Sequence, residues 1–262
     1  MSHLFNRIEV YTLYFFEYLK FREFRSLVNA FLYMFTRKSY AKASVVTSSM
    51  GRFETREGSL DFQYINYAYE LDIKRFIEKE KFDIFFDIGA CLGEYSIWLG
   101  KKGKRCIAFE PVSHSFKMIE RNIQLNGLEN KVMACNYGLG LKHSTEYFEL
   151  NQINPGSNKR VDMPGKETEK FEINSLDDKM ESFNIEPSDR ILIKIDVEGM
   201  ELEMLQGASK FLNRFNNIVL IIEEKFSGES NIRNGLSNIA RFEYGKIDEY
   251  NIYARKINTS NV

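Results

Sequence analysis

The chain contains few of the residues that build cross-linked or extended proteins. Its 262 residues include three cysteines, four prolines and 16 glycines. So few prolines and glycines exclude a collagen-like or linker-dominated architecture. Cys91, Cys106 and Cys135 form no CxxC pair, and their spacing suits no zinc site, so we expect no disulfide framework. Unpaired cysteines of this kind favour a reducing, cytoplasmic setting.

The chain also lacks an excess of charge of either sign. Lysine and arginine together number 36 against 37 acidic residues, which gives a net charge of −1. No general basic field therefore attracts nucleic acid. The sequence also has no Asn/Asp-Pro-Pro-aromatic motif of the kind that would hold a flipped base, so we expect no nucleic-acid partner.

Aromatic residues, by contrast, are abundant and unevenly spread. They make up 14% of the sequence, and twelve of them fall within residues 1–40. Apolar side chains there recur at helical spacing, which predicts two helices, or one bent helix, in an arm that we bound at residues 1–60. No apolar run there approaches the ~20 residues of a membrane span, and no signal-peptide cleavage site follows. The arm either packs on the domain, packs on a second subunit, or lies on a membrane surface with its basic flanks.

Residues 61–262 show the alternation of strands and helices that builds a parallel sheet. Apolar strands are predicted at residues 83–88, 105–110, 131–136, 191–197 and 218–223. Helical periodicity between them is typical of a doubly wound α/β domain with helices on both faces of the sheet. Phe242–Tyr244 and Ile252–Ala254 are predicted to close the sheet as an antiparallel pair. Residues 139–174 interrupt the pattern, and we interpret them as a short hairpin with a mobile segment.

The first predicted strand of this domain runs into a glycine turn. The stretch FDIGACLGEYS, residues 86–96, joins a strand to a helix. Gly89 and Gly93 let a ligand approach bare backbone at the edge of the sheet where ligands sit in this fold class. Glu110 ends the next strand, 23 residues after Asp87. A carboxylate at that position can accept both hydrogen bonds of a ribose diol.

The spacing of this turn excludes two common nucleotide sites. A dinucleotide fingerprint would require glycine where the chain has Cys91 and Glu94, and no GKS or GKT motif of a P-loop is present. Glu94 would also repel a pyrophosphate at the start of the helix. The pattern fits an adenosyl ligand without phosphate and with a cationic end, S-adenosylmethionine. Asp87 is placed to attract that cationic end.

A second acidic pattern follows a later strand. Residues 191–208 read ILIKIDVEGMELEMLQGA, an apolar strand that ends in Asp196 and Glu198 before a helix begins. These two residues are two positions apart, so both point the same way if the strand extends that far. The alternative for Glu198 is that it caps the next helix and complements its dipole. Because carboxyl ends of parallel strands meet at one edge, we expect both near Asp87 and Glu110.

These two blocks, together with AFEPVSHSF, Asn136–Gly138 and Ser175–Asp178, resemble the FkbM family of methyltransferases over roughly residues 70–225. The resemblance implies a Rossmann-like class I fold that uses S-adenosylmethionine. It also implies O-methylation, often of sugar hydroxyls in glycans or natural products. The family often has asparagine where this chain has Cys91.

The resemblance also implies which residues form the site. Cofactor contacts carried onto this sequence fall at Asp87, Gly89, Ala90, Gly93, Glu110, Pro111, Asn136 and Asp196. Asp196 and Glu198 are placed at the reacting end, where a general base removes the proton of the acceptor. His143 is a less favoured base, and His114 either lines the adenine pocket or is solvated.

The sequence therefore predicts an S-adenosylmethionine-dependent O-methyltransferase that acts on a small-molecule or glycan acceptor. In a variant of this prediction, Asp196, Glu198 and Glu223 bind a divalent cation such as magnesium that holds a sugar diol. Two other functions stay open. The first is a catalytically silent scaffold in a glycan-assembly complex, docked through the arm. The second is a nicotinamide-dependent oxidoreductase, which shares the fold but lacks the glycine spacing.

Overall fold

The computed structural model describes residues 2–166 and 168–257. The elements ahead of the central sheet are α1 (Ser2–Lys20), α2 (Phe24–Thr36), β1 (Ser44–Thr47), β2 (Arg52–Thr55), α3 (Asp61–Tyr64) and α4 (Leu71–Lys79). The prediction of two aromatic-rich helices is confirmed by α1 and α2. The segment that we expected to be a plain connection contains the antiparallel hairpin of β1 and β2.

The central sheet begins with three parallel strands joined by helices. In chain order these elements are β3 (Ile84–Ile88), α5 (Glu94–Lys101), β4 (Arg105–Phe109), α6 (Ser113–Asn126) and β5 (Val132–Cys135). Helices cover both faces of these strands, which is why the sequence shows continuous apolar runs rather than alternation. Helix α6 ends at Gly127, whose φ of +63° is the left-handed cap that glycine adopts readily.

Residues 138–174 form a second sheet. Its strands are β6 (Gly138–Leu139), β7 (Ser144–Glu149), β8 (Lys159–Val161) and β9 (Thr168–Asn174), paired in the order β6-β9-β7-β8. The expectation of one short hairpin was therefore wrong in extent, because these strands carry many charged residues and show few apolar positions. The few apolar positions form a small core with the main domain: Val112, Phe148, Phe171, Ile173 and Met200.

The remaining elements complete the central sheet. They are α7 (Leu176–Lys179), a 3-10 turn (Met180–Phe183), β10 (Ile191–Ile195), α8 (Glu201–Gln206), α9 (Ser209–Arg214), β11 (Ile218–Glu223), α10 (Glu229–Ser237), β12 (Phe242–Lys246) and β13 (Asn251–Lys256). The strand order is β12-β13-β11-β10-β3-β4-β5, and β13 runs in the opposite direction to the other six strands. The Rossmann-like class I fold and the antiparallel closing pair are thus confirmed. The order reverses between β3 and β10, which is where ligands bind in such sheets.

Two predicted helices are each broken into two. The helix expected near residues 61–80 is interrupted after α3, where the Asn66 side chain accepts a hydrogen bond from the N–H of Ala68 at 2.9 Å. The helix expected at residues 200–211 is interrupted at Gly207. A Cβ atom there would lie 2.0 Å from the carbonyl oxygen of Gly140, so the backbone of the inserted segment packs directly against Gly207 and leaves no room for a side chain.

Two asparagines of α6 hold the hairpin in place. The Asn122 side chain accepts a hydrogen bond from the N–H of Glu54 at 2.8 Å, and Asn126 both accepts from and donates to the backbone of Arg52. These side chains satisfy the backbone edge of β2 in the way that a neighbouring strand would. The spacing of one helical turn between them aligns them with this edge.

A buried ion pair joins the hairpin to α3. The Arg56 guanidinium forms a fork with the carboxylate of Asp61, with N···O distances of 2.9 and 2.8 Å, and Arg56 also donates to the Ser115 hydroxyl at 3.0 Å. Asp61 has no exposed surface. Asp61 is therefore cut off from water, and the Arg56 side chain, which is 14% exposed, has little access to it.

We expect Asp61→Ala to lower the free energy of unfolding by about 3–5 kcal/mol, because it leaves the largely buried guanidinium of Arg56 without its carboxylate partner. The matched control is Glu78→Gln, which breaks an ion pair of 2.6 Å with Lys102 whose two side chains are 40% and 45% exposed. The control should cost less than about 1 kcal/mol. Urea unfolding of both variants measures the difference, and equal losses would contradict the role given to Asp61.

Candidate active site

Two strand ends touch at Gly89. This residue has a φ of +88°, and a Cβ atom on it would lie 1.9 Å from the carbonyl oxygen of Asp196, so only glycine fits. The N–H of Asp196 in turn donates to the carbonyl oxygen of Ile88 at 3.0 Å. The ends of β3 and β10 therefore meet, and Asp87 and Asp196 lie at the same edge of the sheet.

The carboxylate of Glu110 is held by the backbone of the glycine turn. One oxygen accepts the N–H of Cys91 and the other accepts the N–H of Val112, each at 2.9 Å. Burial raises the pKa of Glu110 to about 7, although these two hydrogen bonds favour the charged form. Glu110 is thus fixed beside the turn, at the end of β4.

Asp87 is buried at the end of β3 and faces the start of α5. Its Oδ2 accepts hydrogen bonds from the N–H of Ser96 at 3.2 Å and from the Ser96 hydroxyl at 2.7 Å. Burial raises the pKa of Asp87, and the positive charge of Lys194 opposes that rise. The pairing register places Asp87 directly beside Lys194 on the neighbouring strand. Two opposite charges therefore lie side by side within an otherwise apolar sheet.

Lys194 also forms an ion pair with Asp196. Its Nζ lies 2.7 Å from Oδ2 of Asp196 and 5.1 Å from the centre of the Tyr95 ring. Burial by itself would lower the pKa of Lys194, but the carboxylates around it, first that of Asp196, raise it above its usual range. These carboxylates therefore favour the charged form of Lys194 beneath the site.

One side of the site is an apolar cleft. Its lining comes from the ends of β3, β4 and β10 and from the inserted sheet, and includes Gly89, Cys91, Phe109, Glu110, Pro111, Val112, Phe148, Pro155, Gly156, Phe171, Ile173, Asp196, Glu198 and Met200. Phe148, Phe171 and Ile173 provide hydrocarbon walls, and Glu110 is the acidic group at the end of β4. The cleft thus offers a flat apolar group a place beside one fixed carboxylate.

The other side is a polar cleft. It is lined by Tyr64, Tyr69, Glu70, Asp87, Gly89, Cys91, Glu94, Tyr95, Asn154, Gly156, Ser157, Lys194, Asp196, Glu198, Glu223 and Lys225. The two clefts share Gly89, Cys91, Gly156, Asp196 and Glu198, so they meet at the glycine turn. Asp87 therefore lines the polar cleft and Glu110 lines the apolar cleft. Asp196 lines both clefts, at the junction where they meet.

Two carboxylates of the polar cleft have an oxygen without a partner. The Oε2 atoms of Glu94 and Glu223 are buried and have no hydrogen-bond partner among the described residues. Burial, then the charge of Asp87, raises the pKa of Glu94 to about 8. Burial, then Asp196 and Glu198, raises the pKa of Glu223 to about 8. An oxygen left without a partner in this way is an open acceptor for a ligand.

Glu198 reaches the junction by a turn and not along a strand. Strand β10 ends at Ile195, and Glu198 has a φ of +49°, so the expected alternation from Asp196 to Glu198 does not hold. The buried carboxylate of Glu201 accepts a hydrogen bond from the N–H of Gly199 at 2.9 Å and another from the Ser227 hydroxyl. Glu201 thereby fixes the turn that presents Glu198.

The structure gives no support to a cation held by Asp196, Glu198 and Glu223. Within residues 2–166 and 168–257, no group of three histidine, cysteine, aspartate or glutamate side chains is arranged to hold a metal ion. The carboxylate of Asp196 faces the ammonium group of Lys194 instead. The positive charge that faces Asp196 therefore comes from Lys194.

Several residues expected at the site lie behind it. The Asn136 side chain donates to the carbonyl oxygens of Glu110 and Pro111 at 3.0 and 3.2 Å and does not line either cleft. Ala90 and Gly93 shape the turn, where the N–H of Gly93 donates to the carbonyl oxygen of Ala90 at 2.6 Å. These residues support the backbone on which the lining residues stand.

Neither candidate histidine lines the two clefts. His114 faces a separate depression beside the hairpin. His143 Nδ1 lies 3.2 Å from the side-chain oxygen of Asn174 in the inserted sheet. The geometry therefore leaves carboxylates, and not histidines, at the junction.

The inserted segment closes over the junction. Its loop contributes Asn154, Gly156 and Ser157 to the polar cleft, and the Tyr64 hydroxyl donates to the Asn154 side chain. Asn158 is a turn former, because its side chain accepts from the N–H of Asn151 and donates to a carbonyl oxygen within the loop. The same loop therefore links α3 to the inserted sheet across the site.

Sequence reasoning missed Lys194 and the tyrosines of the polar cleft. Lys194 gave a signal, because a lysine inside the apolar run ILIKIDV is costly to bury without a carboxylate partner. Tyr64 and Tyr69 gave none, since they belong to a short helix and a turn whose place over the sheet depends on the tertiary fold.

Residues 87–250 match the methyltransferase FkbM domain family. The chain is 28% identical over 155 residues to the hexuronic acid methyltransferase AglP of Haloferax volcanii, an alignment that covers 58% of this chain and 62% of that protein. It is 29% identical over 154 residues to methyltransferase sdnD of Sordaria araneosa, which covers 47% of this chain and 60% of that protein. The chain thus spans about three fifths of the length of these relatives.

Among solved structures, precorrin-6y C5,15-methyltransferase from Geobacter metallireducens is similar with a TM-score of 0.42 and 15% identity, covering 72% of this chain and 88% of that chain. The family match at residues 87–250 takes in more than half of the sequence, the end of β3 and the whole of β4, β10 and β11. The chain therefore belongs to the FkbM methyltransferase family.

Proposed function

We propose that the protein is an S-adenosylmethionine-dependent O-methyltransferase acting on a hydroxyl group of a sugar, a glycan or a small natural product. The observation that carries the proposal is the meeting of two unlike clefts at Gly89. One is apolar around a fixed carboxylate, and the other is acidic. The two halves of the cofactor, an adenosine and a cationic amino-acid end, have the matching chemistry.

The apolar cleft suits the adenosine half. The Glu110 carboxylate accepts two backbone hydrogen bonds, and a carboxylate has about four acceptor positions, so it can also accept those of a ribose diol. Phe148, Phe171 and Ile173 supply the apolar walls that an adenine ring requires. Gly89 has no side chain to block the approach of the ligand to the backbone.

The polar cleft suits the cationic half. The unpartnered Oε2 of Glu94 can accept a hydrogen bond from an ammonium group, and Asp87 adds a second negative charge nearby. A bound cation would also stabilise the charged form of Glu94, which burial and Asp87 disfavour in its absence. The residues present therefore fit the cofactor.

At the junction, Asp196 and Glu198 are proposed to orient the acceptor hydroxyl and take its proton. The bound cofactor supplies a methyl group already activated by a sulfonium. Nζ of Lys194, 2.7 Å from Oδ2 of Asp196, fixes the direction of this carboxylate, which a general base requires. Glu198 stands beside it on the turn that Glu201 fixes.

The acceptor class rests on two supports. One relative is a hexuronic acid methyltransferase, which favours a sugar. The polar cleft also offers the hydroxyls of Tyr64 and Ser157 and the amide of Asn154, groups that hydrogen-bond to sugar hydroxyls. We propose that the loop carrying Asn154 selects the acceptor. Incubation with labelled S-adenosylmethionine and fractionated glycans tests this, and cofactor binding without methyl transfer to any fraction would favour a scaffold.

Glu110→Ala should weaken binding of the demethylated cofactor product, S-adenosylhomocysteine, by roughly 10- to 100-fold, as expected for loss of hydrogen bonds to a charged group. The matched control is Glu120→Ala, which removes an exposed carboxylate of α6 and should leave the affinity unchanged. Isothermal titration calorimetry measures both. Retained affinity in Glu110→Ala would remove the proposed ribose contact.

Asp196→Asn should lower kcat by about 10²–10⁴-fold, because it removes the proposed base. Cofactor affinity should stay within a few-fold of the wild type, because asparagine keeps the size of the side chain and an oxygen acceptor at this position. The same measurements on Glu198→Gln show which of the two carboxylates takes the proton. Turnover is followed with the glycan fraction that accepts the most label. Full activity in both variants would show that the proton leaves by another route.

Affinity for S-adenosylmethionine should rise as the pH increases through about 8, the pKa of Glu94. A cationic ligand lowers this pKa, so binding releases a proton, and by linkage affinity grows with pH by up to roughly tenfold per pH unit below 8. Glu94→Gln should flatten this dependence. The measurement is the cofactor Kd between about pH 6.5 and about pH 8.5. An equal slope in both proteins would assign the proton to another group.

A further inference from the structure

Helix α2 exposes an apolar stripe and buries polar residues. Its buried side includes Ser26 and Asn29, and the Asn29 side chain accepts a hydrogen bond from the N–H of Tyr40 at 2.6 Å. The stripe on the outer side consists of Phe24, Val28, Phe31 and Phe35, with exposed fractions of 58%, 58%, 52% and 72%. Their helical spacing places them on one face. Exposed apolar patches of this kind mark a binding surface.

Helix α1 also exposes apolar side chains. Leu13, Phe16 and Leu19 follow each other at helical spacing and are 38%, 63% and 47% exposed. The orientation of α1 is fixed from the other side, where the Tyr18 hydroxyl donates to the carbonyl oxygen of Phe62. The two helices pack against each other across a short turn. The exposed rings and aliphatic side chains therefore belong to one rigid helix pair, residues 9–36.

Positive charges surround this helix pair. Between residues 17 and 42 the exposed cations are Lys20, Arg22, Arg25, Arg37, Lys38 and Lys42. The same stretch has only two acidic residues, and both turn toward the hairpin. Glu17 accepts hydrogen bonds from Ser49, and Glu23 accepts one from the N–H of Thr47. In the part of the chain that the structure describes, none of the six cations forms an ion pair.

We propose that the helix pair docks on the surface of an anionic lipid membrane, a role that does not depend on the proposed methyl transfer. The exposed apolar side chains would enter the boundary between headgroups and acyl chains, and the six cations would contact anionic headgroups. Lysine and arginine reach such headgroups by extending along the apolar surface. Among the described residues, no helix has the length and apolar character to cross a bilayer.

Charge favours lipid over a second copy of the chain. A two-fold dimer through this surface would bring the same six cations of each copy together. Like charges across an interface oppose association, and the two acids of the stretch are already engaged with the hairpin. An anionic lipid surface supplies the missing counter-charge along its whole area.

Flotation of the full chain with vesicles tests the proposal. The wild type should float with phosphatidylcholine vesicles that contain phosphatidylserine and not with phosphatidylcholine alone. Substituting Arg22, Arg25 and Arg37 by glutamine should weaken binding by roughly fivefold per charge. The matched control substitutes Lys101, Lys117 and Lys142, which are exposed elsewhere, by glutamine and should bind as the wild type does.

A second variant, Phe31→Ser with Phe35→Ser, tests the apolar stripe at positions exposed enough to leave the fold intact, which thermal unfolding verifies. It should lose flotation while keeping its melting temperature. Three outcomes would overturn the proposal: equal binding to both vesicle types, equal binding by the arginine variant and its control, or unchanged flotation of the phenylalanine variant. A concentration-dependent dimer abolished by the phenylalanine variant, without flotation of the wild type, would assign the surface to a second copy.

Discussion

The close approach of the Gly89 backbone to the carbonyl group of Asp196 governs where every group of the site lies. It brings the ends of β3 and β10 into contact and leaves no room for a side chain between them. From that point the apolar cleft opens toward Glu110 and the polar cleft opens toward Asp87. A larger residue at position 89 would separate the strands and with them the two halves of the site.

Charge balance is the second constraint on the site. The polar cleft gathers six acidic side chains, with Lys194 and Lys225 as the two lysines of its lining. Lys194 compensates Asp87 through the strand register and Asp196 through a direct ion pair. Glu94 and Glu223 are left with raised pKa values because burial and the neighbouring carboxylates disfavour their charge. A cleft in this condition is suited to a ligand that brings positive charge with it.

The elements outside the alternating sheet take part in the site. The loop of the inserted sheet lines both clefts, and Tyr64 of α3 contacts Asn154 in that loop. The ion pair between Arg56 and Asp61 connects the hairpin to α3. The division of the chain at residue 60 stays a prediction, since contacts of this kind run directly across it.

Sequence patterns alone were enough to predict the strand and helix alternation, the glycine turn and the acidic residues at the ends of β3, β4 and β10. These depend on local patterns: apolar runs bounded by glycine, and carboxylates that a buried strand end does not explain. Local patterns do not predict the hairpin, the inserted sheet, the breaks at Asn66 and Gly207, or the register that sets Lys194 beside Asp87. Contacts between residues far apart in the chain hold the hairpin and interrupt the helix at Gly207, as those of Asn122 with Glu54 and of Gly207 with Gly140 do. Side-chain periodicity does not predict such contacts, because it indicates which face of a helix or strand is buried and not which residues cover that face.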